Sequence, residues 1–199
     1  GMATPSNPTN PSPRGSRATV PFAGVLACFV LSGFAALLYQ TAWLREFSLV
    51  FGTSELAVAT VLASYMAGLG VGAAAAGRFV PRVRRPVLVY GVLELGIAVS
   101  ALLVPVGLRL ARWAHVSAFG GQAELPSTGA LGPSLFYLGA AFVVIGVPTA
   151  LMGATLPLLA REVVRRDEEV GRRIGALYAL NTAGAVLGAV AAAFLLLPN

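Results

Sequence analysis

No lysine occurs anywhere in this chain of 199 residues, and aspartate, histidine and cysteine appear once each. Charged residues make up only 11% of the sequence, against roughly 25% in an ordinary soluble domain. Each shortage removes a class of function. The single cysteine, Cys28, rules out an intrachain disulfide, and no Cys/His spacing suits a zinc ion. Cys28 lies inside an apolar run, where a small buried side chain is the expected state. The only histidine, His115, stands beside Trp113 just past another apolar run, a placement that predicts interfacial anchoring rather than catalysis. The stretch Ala67–Gly72 imitates a nucleotide-binding glycine loop. That loop needs a preceding strand and a helix start, whereas this one sits in mid-run, so helix packing is the expected role and no cofactor is expected.

What the chain has instead is apolar length. Hydrophobic residues make up 57% of it, its mean hydropathy is +0.79, and the apolar residues gather into five blocks at about 21–43, 56–80, 86–111, 133–160 and 174–197. A bilayer is crossed by roughly 20 mostly apolar residues in a helix. Only helices and closed barrels satisfy their backbone in lipid, and the two-residue alternation of barrel strands is absent. The expected fold is therefore an all-α, polytopic transmembrane bundle of about five spans over residues 20–199. Residues 1–19, rich in Pro, Ser, Asn and Thr, are predicted to be a disordered cytoplasmic tail. A cleaved signal peptide is the competing reading of 14–38, but the run exceeds a signal core and four spans follow it.

All the basic charge is arginine, and its placement sets the orientation. Arg14 and Arg17 precede the first span; Arg78, Arg82, Arg84 and Arg85 join the second to the third; Arg161, Arg165, Arg166, Arg172 and Arg173 join the fourth to the fifth. Arg45, Arg109 and Arg112 lie on the other side. Eleven against three predicts a cytoplasmic N-terminus. Arginines at span ends hold orientation, and with no aromatic and basic platform nucleic acid is not expected as a partner. Leu44–Phe51 is expected to lie along the outer interface before Gly52 turns the chain, and Arg161–Arg173 to form a solvated helical connection.

Within the spans, small residues recur four apart: Gly68, Gly72 and Ala76 on the second, Gly184, Gly188 and Ala192 on the fifth. Such rows let backbones approach closely in lipid, where packing replaces the hydrophobic drive. Pro148 and Pro157 are expected to kink the fourth span. Polar groups at depth carry the functional expectation. Glu94 lies about 12 Å and Asn181 about 10 Å into their spans from the cytoplasmic side, at 1.5 Å per residue. A carboxylate there faces the bundle interior or water, or takes up a proton. Tyr90 and Tyr178 share the faces of Glu94 and Asn181, and Tyr65 and Thr149 lie at comparable depths. Two readings stand: interhelical hydrogen-bonding glue, or a polar pocket for a substrate or proton.

Leu31–Arg45, Leu49–Gly52, Met66–Gly72, Tyr90–Gly96, Met152–Pro157 and Gly175–Gly188 together resemble, in order, the membrane domain of spermidine-synthase-like bacterial proteins. In that family a membrane domain similar to the major-facilitator type precedes a soluble aminopropyltransferase-like domain. A further similarity, to one half of a major-facilitator transporter, rests on Gly77-Arg78 and the basic loop through Arg85. The resemblance implies a bacterial cytoplasmic-membrane protein. Aminopropyl transfer needs a nucleotide-type fold and carboxylates on the diamine, and the one aspartate, Asp167, sits in a charged loop. The chain itself is thus expected to be noncatalytic. It would anchor an aminopropyltransferase-like partner or downstream domain, or gather or pass a small cationic substrate near Glu94. The alternatives are an independent transporter module with Glu94 as its coupling or substrate carboxylate, and a structural subunit using the glycine faces of spans two and five as its interface. Five spans predict a truncated product, one part of a split protein, or a subunit whose missing helix a partner supplies.

Overall fold

The computed structural model describes residues 22–51, 55–120, 131–163 and 170–195. These form five helices: α1 (Phe22–Phe51), α2 (Glu55–Phe79), α3 (Pro86–Phe119), α4 (Leu131–Val163) and α5 (Val170–Leu195), with a short 3-10 turn at Val80–Arg82. All five are long and apolar enough to cross a membrane, and no strand occurs among the described residues. Several side-chain hydroxyls are closed onto their own helices, as Thr41 onto the Leu37 carbonyl, Ser100 onto Gly96 and Thr182 onto Tyr178. That is how a polar group stays satisfied without water. Large apolar side chains meanwhile face outward all round the bundle, Leu102 (78% exposed) and Phe194 (75%) among them. Water would penalise that surface, whereas lipid is its matching solvent.

Glycine decides which helices touch. A side chain at Gly68 would collide with Thr149, one at Gly72 with the Ala150 backbone, and one at Gly153 with the Leu69 backbone, so α2 and α4 meet backbone to backbone. The same holds for α5 on α1, where Gly184 abuts the Val30 carbonyl, Gly188 that of Phe34, and Gly33 that of Asn181. In both seams the residue numbers advance together, so each pair is parallel. On α3, Gly96 meets Leu151 and Gly107 meets Val144. There the numbers run oppositely, so α3 lies antiparallel along α4.

The two seams are copies of each other. Gly68 and Gly184, Gly72 and Gly188, Val30 and Gly146, and Phe34 and Ala150 are each 116 residues apart, and in each seam they occupy the same closest approaches. The offset also superimposes Arg45-Glu46 on Arg161-Glu162 and Ala63, Ala67, Ala73, Ala75 and Ala76 on alanines of α5. Thus α1 and α2 repeat as α4 and α5. Since α1 is joined to α2 by only three residues, 52–54, and packs on it, the two are antiparallel. α1 therefore runs opposite to α4, which makes the repeat inverted.

Several expectations are corrected. Helix α1 continues without a break through Leu44–Phe51, and Trp43 and Phe47 are buried in the core with Val61, Tyr65 and Leu108. That segment is a packed helix end and not an interfacial strap. Cys28 is exposed on the outer face of α1 and not buried. His115 lies inside α3, whose helix extends past the apolar run, and is buried with its Nδ1 at 3.1 Å from the Tyr137 hydroxyl. Trp113 is the exposed neighbour. Gly68, Gly72, Gly184 and Gly188 face partners within the bundle, whereas Gly70 and Gly77 on α2 and Gly171 and Gly175 on α5 have open space before them. Pro148 and Pro157, where a kink is expected, lie inside the one helix α4, and Pro105 lies inside α3. The tail 1–19, Gly52 and residues 164–169 of the basic connection lie outside the described residues.

Candidate intramembrane site

Polar groups at mid-depth are brought together at α1, from two sides. On one side, Ser32 donates from Oγ to Oε1 of Glu94 at 3.0 Å, joining α1 to α3. Tyr90, one turn before Glu94, reaches the same carboxylate and Ser32. Glu94 is half-buried, and no basic side chain among the described residues pairs with it. On the other side of Ser32 opens a cavity of about 380 Å³ between α1, α2, α4 and α5. Its wall carries Ser32, Gln40, Tyr65, Thr155, Tyr178 and Asn181 among apolar residues such as Phe29, Leu37, Met66 and Met152. That size falls within the range of small-ligand pockets.

The polar members of the wall differ in what they have left to offer. The Tyr65 hydroxyl donates to the Ala36 carbonyl at 3.1 Å and lies 3.8 Å from the Met152 sulfur, while its ring packs on Trp43, which stacks on Tyr39. Thr155 Oγ1 is bonded to the Met152 carbonyl. Gln40 and Asn181 have no hydrogen-bond partner for their carboxamides among the described residues. They are the free donors and acceptors of the site. Ser32, with its proton directed to Glu94, can still accept. Tyr65→Phe removes one interhelical bond and should lower stability by about 0.6 kcal/mol, the mean found for such bonds in membranes, measured as thermal unfolding in detergent. A loss several times larger would mean that the hydroxyl does more than tie α2 to α1.

The six candidates read from sequence are thus divided. Tyr65, Tyr178 and Asn181 line the cavity, although Tyr178 is 65% exposed and stands at its rim. Glu94 and Tyr90 stand behind it, separated from Asn181 by α1, so Glu94 and Asn181, though level in depth, do not meet. Thr149 is fully buried, its hydroxyl held by the Ile145 and Gly146 carbonyls and its side chain pressed on Gly68. It is a packing residue outside the pocket. Ser32, Gln40, Met152 and Thr155 escaped notice because single hydroxyls, amides and thioethers are ordinary inside membrane helices. A usable signal existed for Ser32, which lies seven and eight residues from Tyr39 and Gln40 on α1.

The cavity straddles the internal repeat. Ala36 and Met152, Leu37 and Gly153, Gln40 and Leu156, Tyr65 and Asn181, and Leu69 and Ala185 are repeat mates, and all ten residues line it.

No family model matches the chain, and no solved structure matches it. Among curated proteins, polyamine aminopropyltransferase 1 of Streptomyces coelicolor is 29% identical over 198 residues, which is 99% of this chain and 32% of the relative. The chain therefore spans about a third of the length of the relative it matches. The similarity supports a spermidine-synthase-like relationship for a chain whose five helices suit an integral membrane protein.

Proposed function

We propose that this chain is the noncatalytic membrane domain of a spermidine-synthase-like protein of the bacterial cytoplasmic membrane, anchoring an aminopropyltransferase-like part and holding a small aliphatic amine. The observation that carries the second half is Ser32, which joins an intramembrane carboxylate to the wall of an otherwise uncharged cavity. An aliphatic amine has the matching chemistry. Its methylenes suit Phe29, Leu37 and Met66, its ammonium groups are drawn toward the Glu94 end, and Gln40 and Asn181 supply acceptors. The printed name of the relative, a polyamine aminopropyltransferase, supports the choice of amine.

Purified protein in lipid nanodiscs should bind radiolabelled spermidine saturably. Glu94→Gln, nearly isosteric and still able to accept from Ser32, should weaken binding at least about tenfold, or about 1.4 kcal/mol, with an unchanged elution profile. Equal binding by the variant removes the amine site and leaves the anchoring role alone.

One observation favours a second reading, an independent transporter module. Inverted repeats with a site at their interface are the usual architecture of secondary transporters, and the cavity lies between the repeats. On that reading, liposomes carrying the chain take up the amine, and Glu94→Gln abolishes uptake. Binding without uptake restricts the chain to capture.

A further inference from the structure

Helices α2 and α3 are neighbours in the chain, yet both pack on α4, and toward their arginine-bearing ends they leave a cleft of about 330 Å³ between them. Small residues keep it open. Gly72, Ala75 and Ala76 form its α2 wall and Ala150 and Ala154 its floor on α4, and every other residue that lines it is apolar. The repeat shows that this space is local to one copy: the mates of Ala150 and Ala154 are Phe34 and Leu38 on α1, large side chains where α4 has only methyl groups. At its mouth the cleft meets Val80 and Val83 of the turn that joins α2 to α3. Arg78, Arg82, Arg84 and Arg85 surround those valines in the chain, all four are exposed, and no acidic residue occurs between Glu55 and Glu94. Arg78 and Arg82 donate to carbonyls one turn back, of Ala74 and Arg78. Arg84 and Arg85 have no hydrogen bond or ion pair among the described residues. In the other copy the mate of Arg78 is Phe194, so the small-residue floor and the positive mouth occur together in one copy only.

We propose that this cleft seats one anionic phospholipid of the cytoplasmic leaflet, its acyl chain lying along Ala75, Ala76, Ala150 and Ala154 and its phosphate at Arg84 and Arg85. The two parts of the site select the occupant together. An apolar cleft open to a bilayer is matched by a hydrocarbon chain, and uncompensated arginines at its mouth call for an anion carried at the membrane surface. The planar guanidinium fork suits a phosphate bidentately. Helix α3 adds to this, because no side chain caps its first turn, which leaves the leading backbone N–H groups available to the same anion. A zwitterionic lipid has the chain, but its ammonium is repelled by the arginines, so net negative charge is what the site distinguishes. Seated there, the lipid joins α2 to α3 where the protein leaves them apart and holds the arginine turn at the membrane surface. The cleft shares no residue with the cavity beside Ser32, so it stands independently of the amine reading.

Purified protein, stripped of lipid in a mild detergent, is titrated with palmitoyl-oleoyl phosphatidylglycerol, and bound lipid is counted by native mass spectrometry. One phosphatidylglycerol should be retained per chain, at least about tenfold more tightly than phosphatidylcholine with the same chains. Arg84→Gln combined with Arg85→Gln should remove that preference. Ala75→Leu, which fills the cleft from an exposed position on α2, should lower phosphatidylglycerol binding to the level of phosphatidylcholine. Arg109→Gln, exposed nearer the other end of α3, should change nothing. Should Ala75→Leu fail to fold, Ala75→Val is the smaller filler at the same position. Equal binding of the two lipids overturns the proposal, as does an unchanged preference in the arginine double variant. Loss on removing the arginines but not on filling the cleft overturns it as well, since the headgroup is then held at the surface with no chain seated. Full displacement by glycerol phosphate, which carries no acyl chain, would assign the arginines to a free phosphate and overturn it equally.

Discussion

Gly72→Leu and Gly188→Leu should each cost about 3 kcal/mol or prevent folding, the upper end of overpacking penalties, read as thermal unfolding in detergent. The reason lies in what the new side chain meets. At Gly72 it meets the Ala150 backbone and at Gly188 that of Phe34, neither of which can move aside without parting two helices. Because the two positions are repeat mates, the effects should agree with each other. Gly77→Leu is the control, since nothing lies within 4 Å of the added Cβ, and a helical glycine replaced in open space should be neutral or slightly stabilising. A near-neutral Gly72→Leu would mean that the α2/α4 seam is not the close contact described. The substitutions test stability through the seams and leave the Glu94 cluster untouched.

Leu102→Arg should block membrane insertion of α3, an expected cost of about 2.5–3.5 kcal/mol for a charge at the centre of a span. Leu102 stands midway along Pro86–Ala118 and is the most exposed of the large apolar side chains described. The sign of the effect separates the two possible solvents. In a water-soluble bundle the same change removes an exposed leucine and should raise solubility at little cost to stability. In lipid it should send the protein to degradation or leave α3 out of the bilayer, as glycosylation-site or protease mapping of the flanking loops would show. Snorkelling offers little relief, because the residue lies about 24 Å from the start of the helix at 1.5 Å rise per residue.

Five spans were legible in the sequence because apolar length against bilayer thickness is a one-dimensional test. The helix ends were not, since helices continue past their apolar cores: α1 by Leu44–Phe51 and α3 through His115. Small-residue rows on α2 and α5 correctly announced close contacts, but a row does not name its partner. It took the positions of Thr149, Ala150, Val30 and Phe34 to assign α2 to α4 and α5 to α1. Depth along a span placed Glu94 and Asn181 at one level, and depth says nothing of azimuth, so α1 stands between them. Thr149 was misread for the same reason, its depth being right and its direction turned into the α2 seam. The repeat offset was present in the spacing of Gly68, Gly72, Gly184 and Gly188. Without the closest approaches it was indistinguishable from two ordinary small-residue motifs.

The parallel arrangement of α2 and α4 puts the arginine-bearing ends Arg78–Arg85 and Arg161 at one end of the bundle, and the positive-inside rule assigns that end to the cytosol. Substituted-cysteine labelling in intact cells tests this most directly, with Arg84→Cys and Gln122→Cys placed separately in a Cys28→Ser background and a membrane-impermeant maleimide added outside. A membrane-borne five-helix bundle with a cytoplasmic N-terminus predicts that Gln122→Cys reacts at once and Arg84→Cys only after lysis. Labelling of Arg84→Cys from outside, or recovery of the protein dispersed in buffer without detergent, would contradict it.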